Sequence, residues 1–162
     1  MPSVEDALME QIKEKFISDL LECFEEVFYE LAGESMQMAV HKDVFAKYRP
    51  SQSPRGYKRR KHDGLDDPEN FNIQIYREGD KVIGYVRNMA HGVGKAYMLD
   101  EAIVEGDQYD WVTSAIYRMQ PFPRDFYQGT IERIEKSRWQ YHVRRLMNQR
   151  GWKTRGKLSR GR

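Results

Sequence analysis

The residues from Phe71 to Arg87 constrain this chain more than any other stretch. Phe71, Ile73 and Ile75 alternate with Asn72, Gln74 and Tyr76, Glu78-Gly79-Asp80-Lys81 interrupts, and Val82-Ile83-Gly84-Tyr85-Val86-Arg87 resumes with β-branched and aromatic residues. Period-two alternation on both sides of a Gly-Asp pair predicts a β-hairpin, and glycine at the first central position predicts a type II′ turn. With Gly79-Asp80 as the loop, Ile75 falls opposite Gly84 and Ile73 opposite Val86. Phe71, Ile73, Ile75 and Val86 then share one apolar face, with a gap at Gly84. Such a gap admits a close-packed helix, and the long amphipathic helices available lie at the two ends of the chain.

The N-terminal helix is expected over residues 4–32. Ser3 and Asp6 form a capping pattern, and Leu8, Ile12, Phe16, Leu20, Phe24, Val27 and Leu31 recur at helical spacing, widened by Ile17, Leu21 and Phe28 into a stripe suited to lying on a sheet. Gly33 either ends this helix or weakens it, because Met36 to Ala46 is again helix-compatible and only Pro50 forces a stop. Met36, Met38, Val44 and Phe45 read as core residues of that second segment. Leu99 to Val104 is a short helix or strand, and Trp111, Val112, Ile116 and Tyr117 form a further apolar cluster. Asp125 caps a last helix whose buried side includes Ile131, Ile134, Trp139 and Leu146. The expected architecture is α+β: N-terminal and C-terminal helices packed on a small, mainly antiparallel sheet. Residues 1–150 make one domain, and residues 151–162 make a flexible basic tail.

The net charge of +2 conceals segregation. Residues 1–46 hold eleven acids against three lysines, and residues 136–162 hold ten Lys or Arg and no acid. Unlike ends of this kind fit head-to-tail contact between copies, or two unlike partners of which one is a polyanion. The exposed loop from Tyr48 to Leu65 carries a second basic patch, Lys58, Arg59, Arg60 and Lys61, flanked by aromatics. No run is long and apolar enough to span a membrane, and the acidic N-terminus is unlike a secretory signal, so folding in a cytoplasm is expected.

Chemistry is hard to find. His41, His62, His91 and His142 show no metal-ligand spacing, the lone Cys23 lies on the apolar side of a helix, and no cofactor or metal is expected. The segment around Gly92-Val93-Gly94-Lys95 is not a phosphate-binding loop, since Met89 and Ala96 stand where glycine and Ser or Thr would be needed. The dense acids of the first helix are explained by a solvated face.

The order of Tyr57-Lys58-Arg59-Arg60, Gly64-Leu65, the hairpin closing at Asn88-Met89-Ala90, Ile103-Val104-Glu105-Gly106 and Pro121-Phe122-Pro123-Arg124-Asp125-Phe126-Tyr127 resembles the neck and tail-completion proteins of long-tailed phages, the head-tail joining or minor tail proteins. The resemblance covers roughly residues 4–148. It implies a structural, non-enzymatic subunit of the virion neck that assembles in the host cytoplasm into a ring, of six copies, around the DNA channel. Its partners would be portal-side connector or head-closure proteins on one side and tail terminator or tail tube proteins on the other. In that setting Lys58, Arg59, Arg60, Lys61, Arg144, Arg145, Arg150, Lys153, Arg155, Lys157, Arg160 and Arg162 would meet genomic double-stranded DNA without base readout, or acidic surfaces of neighbours. Two other classes stay open: a nucleic-acid-binding protein outside the virion, using the basic loop and Gly/Arg tail, and an enzyme acting through His62, Asp63 or His91.

Overall fold

The computed structural model describes residues 3–47, 62–91, 98–105 and 124–154. Its spine is helix α1, Val4–Ala39, whose 36 residues span about 54 Å. The capping box forms as expected: Ser3 Oγ accepts from the Asp6 amide at 3.1 Å, and Asp6 Oδ2 accepts from the Ser3 amide at 2.9 Å.

Gly33 does not end α1. Ala32, Ser35, Met36, Ala39 and Val40 are buried on either side of it, and that packing outweighs the roughly 1 kcal/mol by which glycine disfavours helix. The helix continues instead into a π-helical segment, Val40–Phe45, closed by the Ala46 amide donating to the His41 carbonyl at 2.9 Å. Met36 and Val44 are core residues as expected, but Met38 is 62 % exposed. It lies between the buried positions 36 and 39–40 and faces outward.

Asp67 caps the short 3-10 turn Pro68–Asn70 that leads into the hairpin. Strands β1, Phe71–Glu78, and β2, Lys81–Asn88, pair antiparallel in the expected register, with Ile75 opposite Gly84 and Ile73 opposite Val86. Gly79 has φ 59°, while Asp80 is not among the residues with positive φ. A type I′ turn needs positive φ at both central residues, so the geometry fits type II′.

The apolar face of the hairpin lies on α1. An added Cβ at Gly84 would come within 2.6 Å of the Phe28 ring, so the gap read from the sequence is occupied by that ring. Ile73 and Val86 join two halves of the core. One half gathers Met36, Val40, Val44, Leu65, Phe71 and Phe126; the other gathers Cys23, Phe24, Phe28, Val143 and Met147. Cys23 is fully buried, and desolvation pushes its thiol pKa up.

Helix α2, Leu99–Glu105, resolves the helix-or-strand alternative in favour of helix. The single C-terminal helix expected from sequence is two: α3, Phe126–Lys136, and α4, Trp139–Gln149. The break is at Arg138, which adopts the left-handed conformation (φ 58°, ψ 26°), while Ser137 closes α3 by donating from both its amide and its hydroxyl to the Ile134 carbonyl. Asp125 caps α3, accepting from the Gln128 amide at 3.0 Å. Phe126 and Thr130 face inward at helical spacing, which turns Ile131 outward to 51 % exposure, contrary to its expected burial.

Candidate interaction surfaces

The hairpin is fixed to α1 at its tip as well as along its face. Arg77 at the end of β1 makes a two-pronged contact with Glu14, one prong at 2.7 Å, and Lys13 reaches Asp80 in the turn at 2.8 Å. The hydrogen bond to Arg77 holds the Glu14 carboxyl below its ordinary pKa. At the other end, Asn88 is completely buried. Its side chain donates to the Leu65 carbonyl at 2.6 Å and accepts from the Ala90 amide at 3.0 Å, and its backbone amide donates to the Tyr127 hydroxyl at 3.0 Å. Tyr127 in turn donates to Asp100 Oδ2 at 2.6 Å, and Arg87 donates to the same oxygen at 3.2 Å. Burial, then the bond to Asp100, raises the Tyr127 pKa far above the ordinary phenol. One polar junction therefore ties β2, the segment before β1, α2 and α3 into a single body.

Among the described residues, two surfaces of that body are exposed. The outer face of the hairpin carries Tyr76, paired with Ile83, and Tyr85; the tyrosines are 45 % and 41 % exposed. Among the described residues the sheet has two strands, so each has an unpaired edge. The second surface belongs to α1. Val4, Leu8, Ile12, Phe16, Leu20, Phe24 and Phe28 recur at four-residue spacing and form one ridge. Phe28 and Phe24 are in the core and Phe16 lies edge-on beneath Trp152 at 5.1 Å, but Ile12, Leu8 and Val4 are 42 %, 55 % and 88 % exposed. The ridge thus runs out of the core and past the body.

Of the described basic residues, Arg150 turns back onto this chain's own acids. Arg150 pairs with Asp19 at 3.2 Å and Glu22 at 2.6 Å, and Trp152 Nε1 donates to Asp19 at 2.7 Å. Arg145 lines an open groove between α1 and α4 whose other wall carries Glu26, Glu30 and Glu34. Arg144 is half-buried and Lys153 exposed. Lys58, Arg59, Arg60, Lys61, Arg155, Lys157, Arg160 and Arg162 lie outside the described residues, as do Trp111, Val112, Ile116, Tyr117 and the Pro121-Phe122-Pro123 segment. Among the described residues no three His, Cys, Asp or Glu side chains cluster as metal ligands, and no helix is long and apolar enough to cross a membrane.

The Trp152 bond holds the Asp19 carboxyl below its ordinary pKa, with Arg150 adding to the effect against desolvation. A depressed carboxylate stabilises the fold above the unfolded-state pKa and loses that contribution as pH falls through the folded-state value. Trp152 is therefore expected to loosen from Asp19 in acid, below about pH 4. Fluorescence of Trp152, read with Trp111 and Trp139 replaced by Phe, should show this as an acid step that Asp19→Asn removes.

Fold and surfaces together define a small α+β protein whose buried polar groups join its elements and whose open features are a sheet face and a helix ridge. The chain belongs to the YomN family, whose model matches residues 1–149 and which is phage-derived, of Bacillus SPbeta-like type. No curated protein and no solved structure matches it.

Proposed function

We propose that this protein is a structural subunit of a phage head-tail connector, a tail-completion ring that joins the capsid connector to the tail around the DNA channel. The reading is supported by membership of a phage-derived family and by the resemblance of its ordered segments to neck proteins. The observation that carries it furthest is a helix-and-hairpin body that, among the described residues, leaves an aromatic sheet face, two strand edges and an acidic helix overhang open. A ring subunit needs two different surfaces that meet head to tail, and unlike surfaces of this kind provide them. The role is non-enzymatic. Copies pack side by side in the neck, six to a ring, between portal-side connector or head-closure proteins and tail terminator or tail tube proteins. The basic loop Lys58 to Lys61 and the basic C-terminus face neighbours or the genome, and contact with DNA there is to phosphates.

Labelled protein should be found at the neck of virions by electron microscopy, and native mass spectrometry with candidate neighbours should give a ring-sized species. Label confined to infected cytoplasm and never found in particles overturns the proposal. If that result came with duplex binding that weakens steeply with salt and vanishes on deleting residues 151–162, a nucleic-acid-binding role outside the virion would replace it.

A further inference from the structure

The groove between α1 and α4 begins about 21 Å along α1 from Ile12, the last exposed residue of the ridge. We propose that this groove takes a cationic amphipathic helix of another protein, which sets apolar side chains over Val27, Leu31, Trp139 and Leu146 and a row of Lys or Arg against Glu26, Glu30 and Glu34. The inference does not depend on the neck reading, which uses the hairpin and the start of α1.

Three observations carry it. The first is shape. Trp139 meets Phe24 at a centroid distance of 5.4 Å, and Val143 and Met147 are buried in the same cluster as Cys23 and Phe28, so α4 is held on α1. A trough of about 300 Å³ remains between the two helices. Its floor is the half-buried Val27, Leu31, Trp139 and Leu146, and among the described residues it is open to solvent. A small-molecule site encloses most of its ligand, in roughly 300–1,000 Å³, which an open trough at the bottom of that range does not do. A trough between two packed helices instead receives a row of side chains from a third.

The second is charge. Glu26, Glu30 and Glu34 stand along the α1 rim at four-residue spacing, about 6 Å per step, and Arg145 stands on the α4 rim. Elsewhere in the molecule opposite charges close the fold, as Arg77 does with Glu14, Arg133 with Asp43 and Arg150 with Glu22. Among the described residues Glu26, Glu30, Glu34 and Arg145 form no ion pair. The rims therefore hold their charge for an incoming helix. Cations spaced four apart on that helix match the glutamate row in either direction, and an acid on its other flank meets Arg145. The same row repels the phosphates of nucleic acid.

The third is that a second copy does not supply the occupant. Among its described helices, the exposed ridge of α1 is flanked by Glu5, Asp6 and Glu10, and the apolar sides of α3 and α4 are packed in the core. None offers an unpacked apolar stripe beside a cationic row.

The test is isothermal titration calorimetry of the full-length protein with synthetic peptides. The first peptide has about 16 residues, with Leu at heptad positions a and d and three Lys spaced four apart on one flank. A second carries Glu in place of the central Lys, and a third carries Ser in place of the central Leu. Glu30 and Glu10 are both exposed, so charge reversal at either leaves the core intact, and circular dichroism checks the fold. The first peptide should bind with a Kd below about 0.1 mM, and the third about tenfold more weakly. Glu30→Lys should weaken the first peptide about tenfold and make the second the tighter of the two, whereas Glu10→Lys should change neither by more than about twofold. No binding at about 1 mM of the first peptide would overturn the proposal. So would indifference to the Leu replacement, failure of the second peptide to prefer the Glu30→Lys protein, or equal losses from Glu10→Lys and Glu30→Lys, the last of which would show attraction to acidic α1 at large.

Discussion

Gly84→Val lowers folding stability by about 3 kcal/mol, the upper end of what overpacking a filled core costs. The position is a strand interior, where replacing glycine would by itself stabilise by roughly 0.5–1 kcal/mol through reduced freedom of the unfolded chain. Sterics decide the sign. The first added carbon would already stand 2.6 Å from the Phe28 ring, and valine adds two more. Phe28 cannot swing away, because it is only 7 % exposed and stacked on Phe24 at a centroid distance of 4.9 Å. Urea denaturation measures the loss. Phe28→Leu in the same chain should recover more than 1 kcal/mol of it, giving a coupling that a double-mutant cycle isolates. A Gly84→Val chain within 0.5 kcal/mol of the parent would mean that the ring does not fill the gap.

That contact also marks where sequence reading stopped. The hairpin register was legible because period-two alternation and the Gly-Asp pair determine it together, and a one-residue slip would turn Ile73 and Val86 to water. The need for a helix over Gly84 was equally legible, but not that Phe28 would fill it, because the α1 stripe is broad enough to offer several candidates. Gly33 misled in the direction propensity always does, since burial on both sides holds a helix through a weak residue. The break at Arg138 was hidden because a non-glycine in the left-handed conformation has no sequence signature. Arg150 and Asp19 were visible only as charge at opposite ends of the chain. Their pairing within one molecule, at 3.2 Å, shows that part of the segregated charge closes the fold rather than facing outward. The polar junction left no trace either, because Asp100 and Tyr127 are 27 positions apart and each reads alone as a surface residue.

That junction yields the other large effect. Asn88→Ala should cost about 3 kcal/mol, because two buried backbone groups lose their partners, the Ala90 amide and the Leu65 carbonyl, at roughly 1–3 kcal/mol each before any relaxation. Loss of the side chain also frees the hairpin end from residues 62–70, so hydrogen exchange should accelerate first at Ala90 and Leu99, whose amide donates to the Ala90 carbonyl at 2.8 Å. Asn88→Asp separates hydrogen bonding from size. An aspartate keeps the acceptor for Ala90 but sets a negative oxygen against the Leu65 carbonyl, where the native amide donates at 2.6 Å. Burial and that carbonyl both favour the protonated acid, which can donate in place of the amide, so the folded-state pKa of the new group lies above its unfolded value. Its favourable contribution is then complete below the unfolded pKa of about 4 and is lost as pH rises through the folded one. The Asp variant should approach the parent in stability in acid and fall toward the Ala variant near neutrality. A stability difference between Asp and parent that stays constant from about pH 4 to pH 7 would show that the Leu65 bond does not hold this end of the hairpin.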